Sequence, residues 1–268
     1  MIEIQGLTKR YGSKLAVDRI SFSVGKGEIV GFLGPNGAGK STTMNIMTGY
    51  LSATEGRVVI DGHEYPEEPT EAKKCIGYLP EQPPLYQDMT VWEYLNFIYE
   101  LKKAKTASRT KHLETVCGMV KIGHVKDRLI SNLSKGYKQR VGIAQALIGN
   151  PEVLILDEPT VGLDPNQIIE IRSLIKSLSR SHTVILSTHI LSEVQSVCDR
   201  VIIINQGVIV ADDTERNLSE KLSKDKRYTL RVKAPQTDAL TALSRLERVD
   251  SVRPHGQKEQ GVYEFLIQ

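Results

Sequence analysis

Ile29-Val30-Gly31-Phe32-Leu33-Gly34-Pro35-Asn36-Gly37-Ala38-Gly39-Lys40-Ser41-Thr42 runs from a short apolar stretch into a glycine-rich turn and on into a helical stretch, Lys40 to Thr48. Gly34 to Ser41 fits the phosphate-loop pattern, and a buried strand before it with a helix after it is the context that pattern requires. Glycines let the backbone fold around a β-phosphate with its N–H groups pointing inward, while the N-terminus of the following helix adds positive potential. In that arrangement Lys40 pairs with the β- and γ-phosphates, the Ser41 hydroxyl ligates Mg²⁺ and Thr42 reaches the α-phosphate. A glycine turn with no ligand is the competing account, and the flanking strand and helix weigh against it.

Outward from this loop, Val153 to Leu156, Thr183 to Ser187 and Val201 to Ile204 are further short apolar runs rich in branched residues. Such runs read as parallel strands covered on both faces. Helical stretches between them, notably Pro165 to Arg180, give the alternation of an α/β domain. Ile2 to Leu7, Leu15 to Val24, Gly56 to Asp61 and Cys75 to Leu79 read as antiparallel strands of an added β layer. Residues 90–149 break the alternation with helical periodicity (Trp92, Leu95, Ile98, Leu101), which predicts a helical insertion in the core. The domain is expected over 1–222. Beyond it, a charged linker at Lys221 to Lys226 leads to strand, helix, strand, strand over 223–268: Tyr228 to Val232, Asp238 to Leu246, Val249 to Arg253 and Val262 to Ile267. This small α+β domain lacks a second helix and a last strand of a ferredoxin-like unit.

Val153 to Glu158 is a buried strand ending in two acids. Acids at the carboxyl end of a parallel strand lie in the crevice where such sheets bind ligands. Asp157 can hold Mg²⁺ through water and Glu158 can polarise an attacking water, a general-base role worth about 10² to 10⁴ in rate. Leu133 to Arg140 opens a helix running to Leu147, with Ser134 placed as its cap. A helix start with a serine and the unobstructed Gly136 is also an anion site, so cap and phosphate contact are compatible.

The chain has 268 residues, 40% apolar and 25% charged, and reads as globular throughout. Basic residues exceed acidic ones by only three, too few to imply a nucleic-acid partner. The densest basic stretch, Lys102 to Lys111, is expected to be a solvated helix face. Cys75, Cys117 and Cys198 have no metal or redox spacing. No run approaches the roughly 20 apolar residues of a spanning helix, so a role at a membrane calls for a partner that spans it.

Taken in order over residues 2–220, these motifs resemble the ATP-binding subunits of ABC transporters. The resemblance implies a P-loop NTPase core and makes Tyr11 the adenine-stacking aromatic. It makes Gly34 to Thr42, with Asn36, Gly37, Ala38, Gly39, Lys40 and Ser41, the Walker A loop. Leu133 to Arg140 corresponds to the signature, with Lys135 and Tyr137 where Gly and Gln are commoner. Asp157 and Glu158 correspond to Walker B with its catalytic glutamate, Gly162-Leu163-Asp164 to the D-loop and Ser187-Thr188-His189 to the switch histidine. Aligning Ile76 to Pro80 and the downstream Leu85-Tyr86 and Thr90-Val91 without gaps puts Glu81 at the Q-loop position as a Mg²⁺ ligand, with Gln82 as the alternative after a one-residue shift.

The resemblance further implies two ATPase subunits packed head to tail, with Ser134 and Gly136 of one facing the γ-phosphate on the other. It is nearest the bacterial type-2 exporter class, whose subunits sit on the cytoplasmic face of the cell membrane through a transmembrane permease subunit. A soluble ABC-type ATPase acting on ribosomes or DNA is the alternative. Ribosomal members usually carry two such domains in one chain and DNA-repair members a long coiled coil, and neither feature is present.

Overall fold

A computed structural model describes residues 1–214, 216–218, 228–246, 249, 251–259 and 261–267. The chain divides into two compact units, Met1–Thr214 and Glu215–Gln268. The division falls ahead of the boundary expected at residue 222, and the expected linker Lys221 to Lys226 lies outside the described residues.

The first unit opens with the antiparallel pair β1 (Ile2–Tyr11) and β2 (Lys14–Val24), followed by β3 (Ile29–Leu33) and α1 (Lys40–Met47). Next come β4 (Glu55–Ile60), β5 (His63–Tyr65), α2 (Pro69–Lys74) and β6 (Ile76–Leu79). Helices α3 (Val91–Leu101), α4 (Arg109–Met119) and α5 (Lys135–Leu147) form the insertion. The chain then returns through β7 (Val153–Asp157), α6 (Pro165–Leu178), β8 (Thr183–Thr188), α7 (Leu191–Val197), β9 (Arg200–Asn205) and β10 (Val208–Asp213).

One sheet has the order β2-β1-β4-β5 and is antiparallel; the other has the order β10-β9-β3-β8-β7-β6. In the latter, β9, β3, β8, β7 and β6 are parallel neighbours and β10 is an antiparallel edge. Alternate residues of the parallel strands face two cores. Val30, Phe32, Val153, Ile155 and Ile185 pack with α1 and the antiparallel layer, while Ile29, Leu154, Leu156, Val184 and Leu186 pack with α3, α4, α5 and α6. Each fully buried side chain of this kind stabilises by roughly 1.5–3 kcal/mol, so a strand apolar on both faces needs both layers.

Two expectations are corrected. Cys75 to Leu79 does not join the antiparallel layer: Ile76 to Leu79 pairs in parallel with β7. Gly77 explains the placement, because a methyl there would lie 2.2 Å from the Ala146 carbonyl oxygen, so only glycine lets α5 lie directly on this strand. Lys102 is not part of a solvated face. Its Nζ donates to the carbonyls of Gln145, Ala146 and Ile148 at 3.1–3.2 Å, capping the end of α5.

In the second unit, β11 (Tyr228–Lys233), α8 (Gln236–Leu243), β12 (Val252–Glu259) and β13 (Val262–Ile267) form an antiparallel sheet of order β11-β13-β12 under one helix. Its core is Ala239, Leu243, Phe265 and Ile267. The helix begins earlier than expected and β12 later.

Candidate active site

β3 delivers the chain to Gly34, and the loop closes at Gly39, whose φ of 111° is left-handed and whose Cα faces the Ala16 carbonyl so closely that a methyl would sit 2.8 Å from that oxygen. Helix α1 starts at once with Lys40. Its buried Nζ donates to the carbonyls of Gly34 at 2.8 Å and Pro35 at 3.3 Å, and lies 3.8 Å from Glu158 Oε1.

The carboxyl ends of β7 and β8 bring the acids to the same place. Asp157 is the last residue of β7 and accepts a short hydrogen bond from the Ser187 hydroxyl. Glu158 follows with a left-handed φ of 47°, costly for a non-glycine residue, and its N–H donates to the Ser187 carbonyl at 3.1 Å. His189, just beyond β8, places Nδ1 2.9 and 3.0 Å from the two Glu158 carboxylate oxygens. Burial pushes the Asp157 carboxyl above its ordinary pKa. The Ser187 hydrogen bond opposes that shift, nearby Glu81 adds to it, and Lys40 and the Ser41 hydrogen bond reduce it.

Gly39, Lys40, Ser41, Glu81, Glu158 and His189 line a cavity of about 750 Å³, within the roughly 300–1,000 Å³ usual for small-molecule and cofactor sites. Among the residues singled out in the sequence, Tyr11, Asn36, Gly37, Gly39, Lys40, Ser41, Thr42, Glu81, Glu158 and His189 lie on its wall. Gln82 does not. Asp157 is held behind the wall by Ser187, and Ala38 is buried with its carbonyl accepting from Gly207 N–H at 2.9 Å. Gly34 contributes the carbonyl that holds Lys40. Lys14, Leu15, Ala16, Val161 and Gln206 complete the lining and were not foreseen, since nothing in their local sequence marks them. Ser134 and Gly136 lie outside this cavity; Ser134 caps α5 by accepting from Tyr137 N–H at 3.4 Å, and Gly136 rests against the Gln167 side chain.

The family model described as "ABC transporter" matches residues 17–161, over half of the chain. The chain belongs to the ABC transporter family. It is an ATP-binding subunit of that family, and ATP hydrolysis is its enzymatic activity. The linearmycin resistance ATP-binding protein LnrL of Bacillus subtilis (strain 168) is 37% identical over 95% of this chain and 82% of its own length. The bacitracin transport ATP-binding protein BcrA of Bacillus licheniformis is 39% identical over 86% of this chain and 75% of its own. The ATP-binding cassette MJ0796, in a dimeric post-hydrolysis state bound to ADP and Pi, is similar with a TM-score of 0.72 and 27% identity, covering 80% of this chain and 98% of that one.

The ABC ATPase is thus built on the unit that carries the cavity, and among its described residues no helix is long and apolar enough to cross a membrane. Tyr11 stands at the rim, about half exposed (47%), with Lys9 Nζ 5.3 Å from its ring centre.

Proposed function

We propose that this ABC ATPase binds MgATP in the cavity, hydrolyses it with Glu158 as general base, and thereby energises export through a separate membrane-spanning subunit. The observation that carries the reading is the meeting of Lys40, Glu158 and His189 on one wall, a cation for phosphate beside a carboxylate for water. In this reading the Tyr11 ring stacks on adenine, the loop amides and Lys40 hold the phosphates, and Thr42 meets the α-phosphate. His189 holds the Glu158 carboxylate and steadies the γ-phosphate as charge develops.

The donor set suits Mg²⁺. Ser41 and Glu81 on the cavity wall and Asp157 behind it supply hard oxygens, and the mutual repulsion of the two acids is what a divalent ion would relieve. When bound, the ion neutralises charge on the β- and γ-phosphates.

Ser134 and Gly136 stand apart from the cavity of their own copy, and among the described residues that line it there is no arginine to act as a finger. A second subunit packed head to tail would bring its Ser134 and Gly136 to the γ-phosphate, and dimeric MJ0796 is a similar chain in a paired state. LnrL is named for linearmycin resistance and BcrA for bacitracin transport, which supports transport of a drug-like compound as the task; a place on the cytoplasmic face of the membrane, beside the spanning subunit, belongs to the same reading. Co-purification from detergent-solubilised membranes tests this. A spanning subunit that stimulates ATP turnover is the expected result; recovery with ribosomes or DNA, and with no spanning partner, would overturn it.

A further inference from the structure

Glu193 is a carboxylate with 1% exposure on α7, outside every motif considered so far. A buried carboxylate is costly unless hydrogen bonds or charges compensate it. Here the partners are specific. One oxygen accepts a short hydrogen bond from the Thr160 hydroxyl, and the other accepts from the Thr188 hydroxyl at 2.6 Å. Arg172 on α6 lies 3.7 Å away, near enough to offset the charge in part.

The positions of the two threonines give this arrangement its meaning. Thr160 is two residues past Glu158, and Thr188 immediately precedes His189. One side chain therefore ties together the two backbone segments whose own side chains meet as the Glu158–His189 pair. The tie has a strain to hold as well. Glu158 sits at a left-handed φ of 47°, and such a conformation in a non-glycine residue persists only where the surroundings over-determine it. The Glu158 N–H to Ser187 hydrogen bond and the Val161 N–H to Glu158 carbonyl hydrogen bond fix it from two sides. Thr160, inside that same turn, is the third point of attachment.

We propose that Glu193 is a positioning residue that locks the Glu158 turn to the His189 segment, so that the two side chains keep their 2.9–3.0 Å contact during ATP hydrolysis. The proposal rests on the reading of Glu158 and His189 as the hydrolytic pair. Loss of the clamp lets Glu158 relax away from the phosphate while the glycine-rich loop stays as it is. The effect therefore falls on turnover and spares nucleotide binding.

The test uses the purified full chain, with ATP turnover, ATP affinity and thermal unfolding measured on each variant. Glu193→Gln should lower kcat about tenfold or more, as misplacement of a reacting group does, with ATP affinity changed less than about threefold. Thr188→Val should behave the same way and Thr188→Ser should keep near-normal turnover, because it keeps the hydroxyl. In a His189→Ala background, Glu193→Gln should add less than about a twofold further loss, since the pair it positions is already gone. Wild-type kcat in Glu193→Gln, equal losses in both backgrounds, or a parallel fall of affinity, kcat and melting temperature would each overturn the clamp. Full turnover in Glu158→Gln would instead remove the underlying hydrolytic reading, and with it the clamp.

Discussion

Lys40 and Glu158 face each other at 3.8 Å, both almost wholly buried, with Lys40 also held by the carbonyls of Gly34 and Pro35. The cation meant for phosphate is thus restrained by the acid meant for water. Glu158→Gln removes that restraint along with the base. It should bind ATP as tightly as the wild type or more tightly, while hydrolysis falls about 10² to 10⁴-fold. Equilibrium binding and phosphate release, measured on the same preparation, check both halves.

Lys40→Ala should fail earlier in the cycle. A charge-assisted hydrogen bond contributes about 1.5–3 kcal/mol, so ATP affinity should drop at least tenfold. The Glu158 carboxylate would then lose the cation 3.8 Å away and keep its contact with His189. Unchanged ATP affinity would contradict the assignment of Lys40 to the phosphates.

Glu81 lines the cavity and bears on the Asp157 carboxyl, whereas Gln82 does not line it. Glu81→Ala should raise the Mg²⁺ concentration needed for half-maximal turnover and lower the maximal rate. Gln82→Ala should stay within about twofold of wild type. A Mg²⁺ titration of the two variants in the assembled transporter decides between them, and loss in Gln82→Ala alone would shift the register by one residue.

Lys102 should make stability depend on pH in the alkaline range. Burial lowers its pKa from 10.5 to about 8, so between those values the unfolded chain binds more protons than the folded one. Stability relative to Lys102→Met therefore rises as pH increases from about 8 to 10.5. The whole excursion is at most about 3 kcal/mol. Denaturant unfolding of both proteins across that range measures it, and parallel curves would show that Lys102 does not titrate there.

Local pattern reached far into this fold where the chemistry is itself local. The strand, glycine loop and helix from Ile29 to Met47 lie together in sequence, so their order could be read directly. The four-residue run Ile76 to Leu79 shows the limit. Its apolar character said that it was a buried strand, but the choice between two sheets was made by α5, about seventy residues later, pressing on Gly77. Lys102 lies beyond local pattern for a related reason, because its carbonyl partners come from the end of α5, more than forty residues later. Glu193 carries no local signal either: an acid between Ser192 and Val194 gives no hint that two distant threonines will close around it.

The bare backbone contact between Gly77 and Ala146 has a mechanical consequence. With no Gly77 side chain between them, β6 and α5 pack backbone against backbone at this point. One end of this pair leads to Glu81 beside the cavity, and the other, the start of α5, carries Ser134 about 20 Å along the helix from its last turn. A close seam of this kind favours joint movement of β6 and α5 over sliding of one past the other.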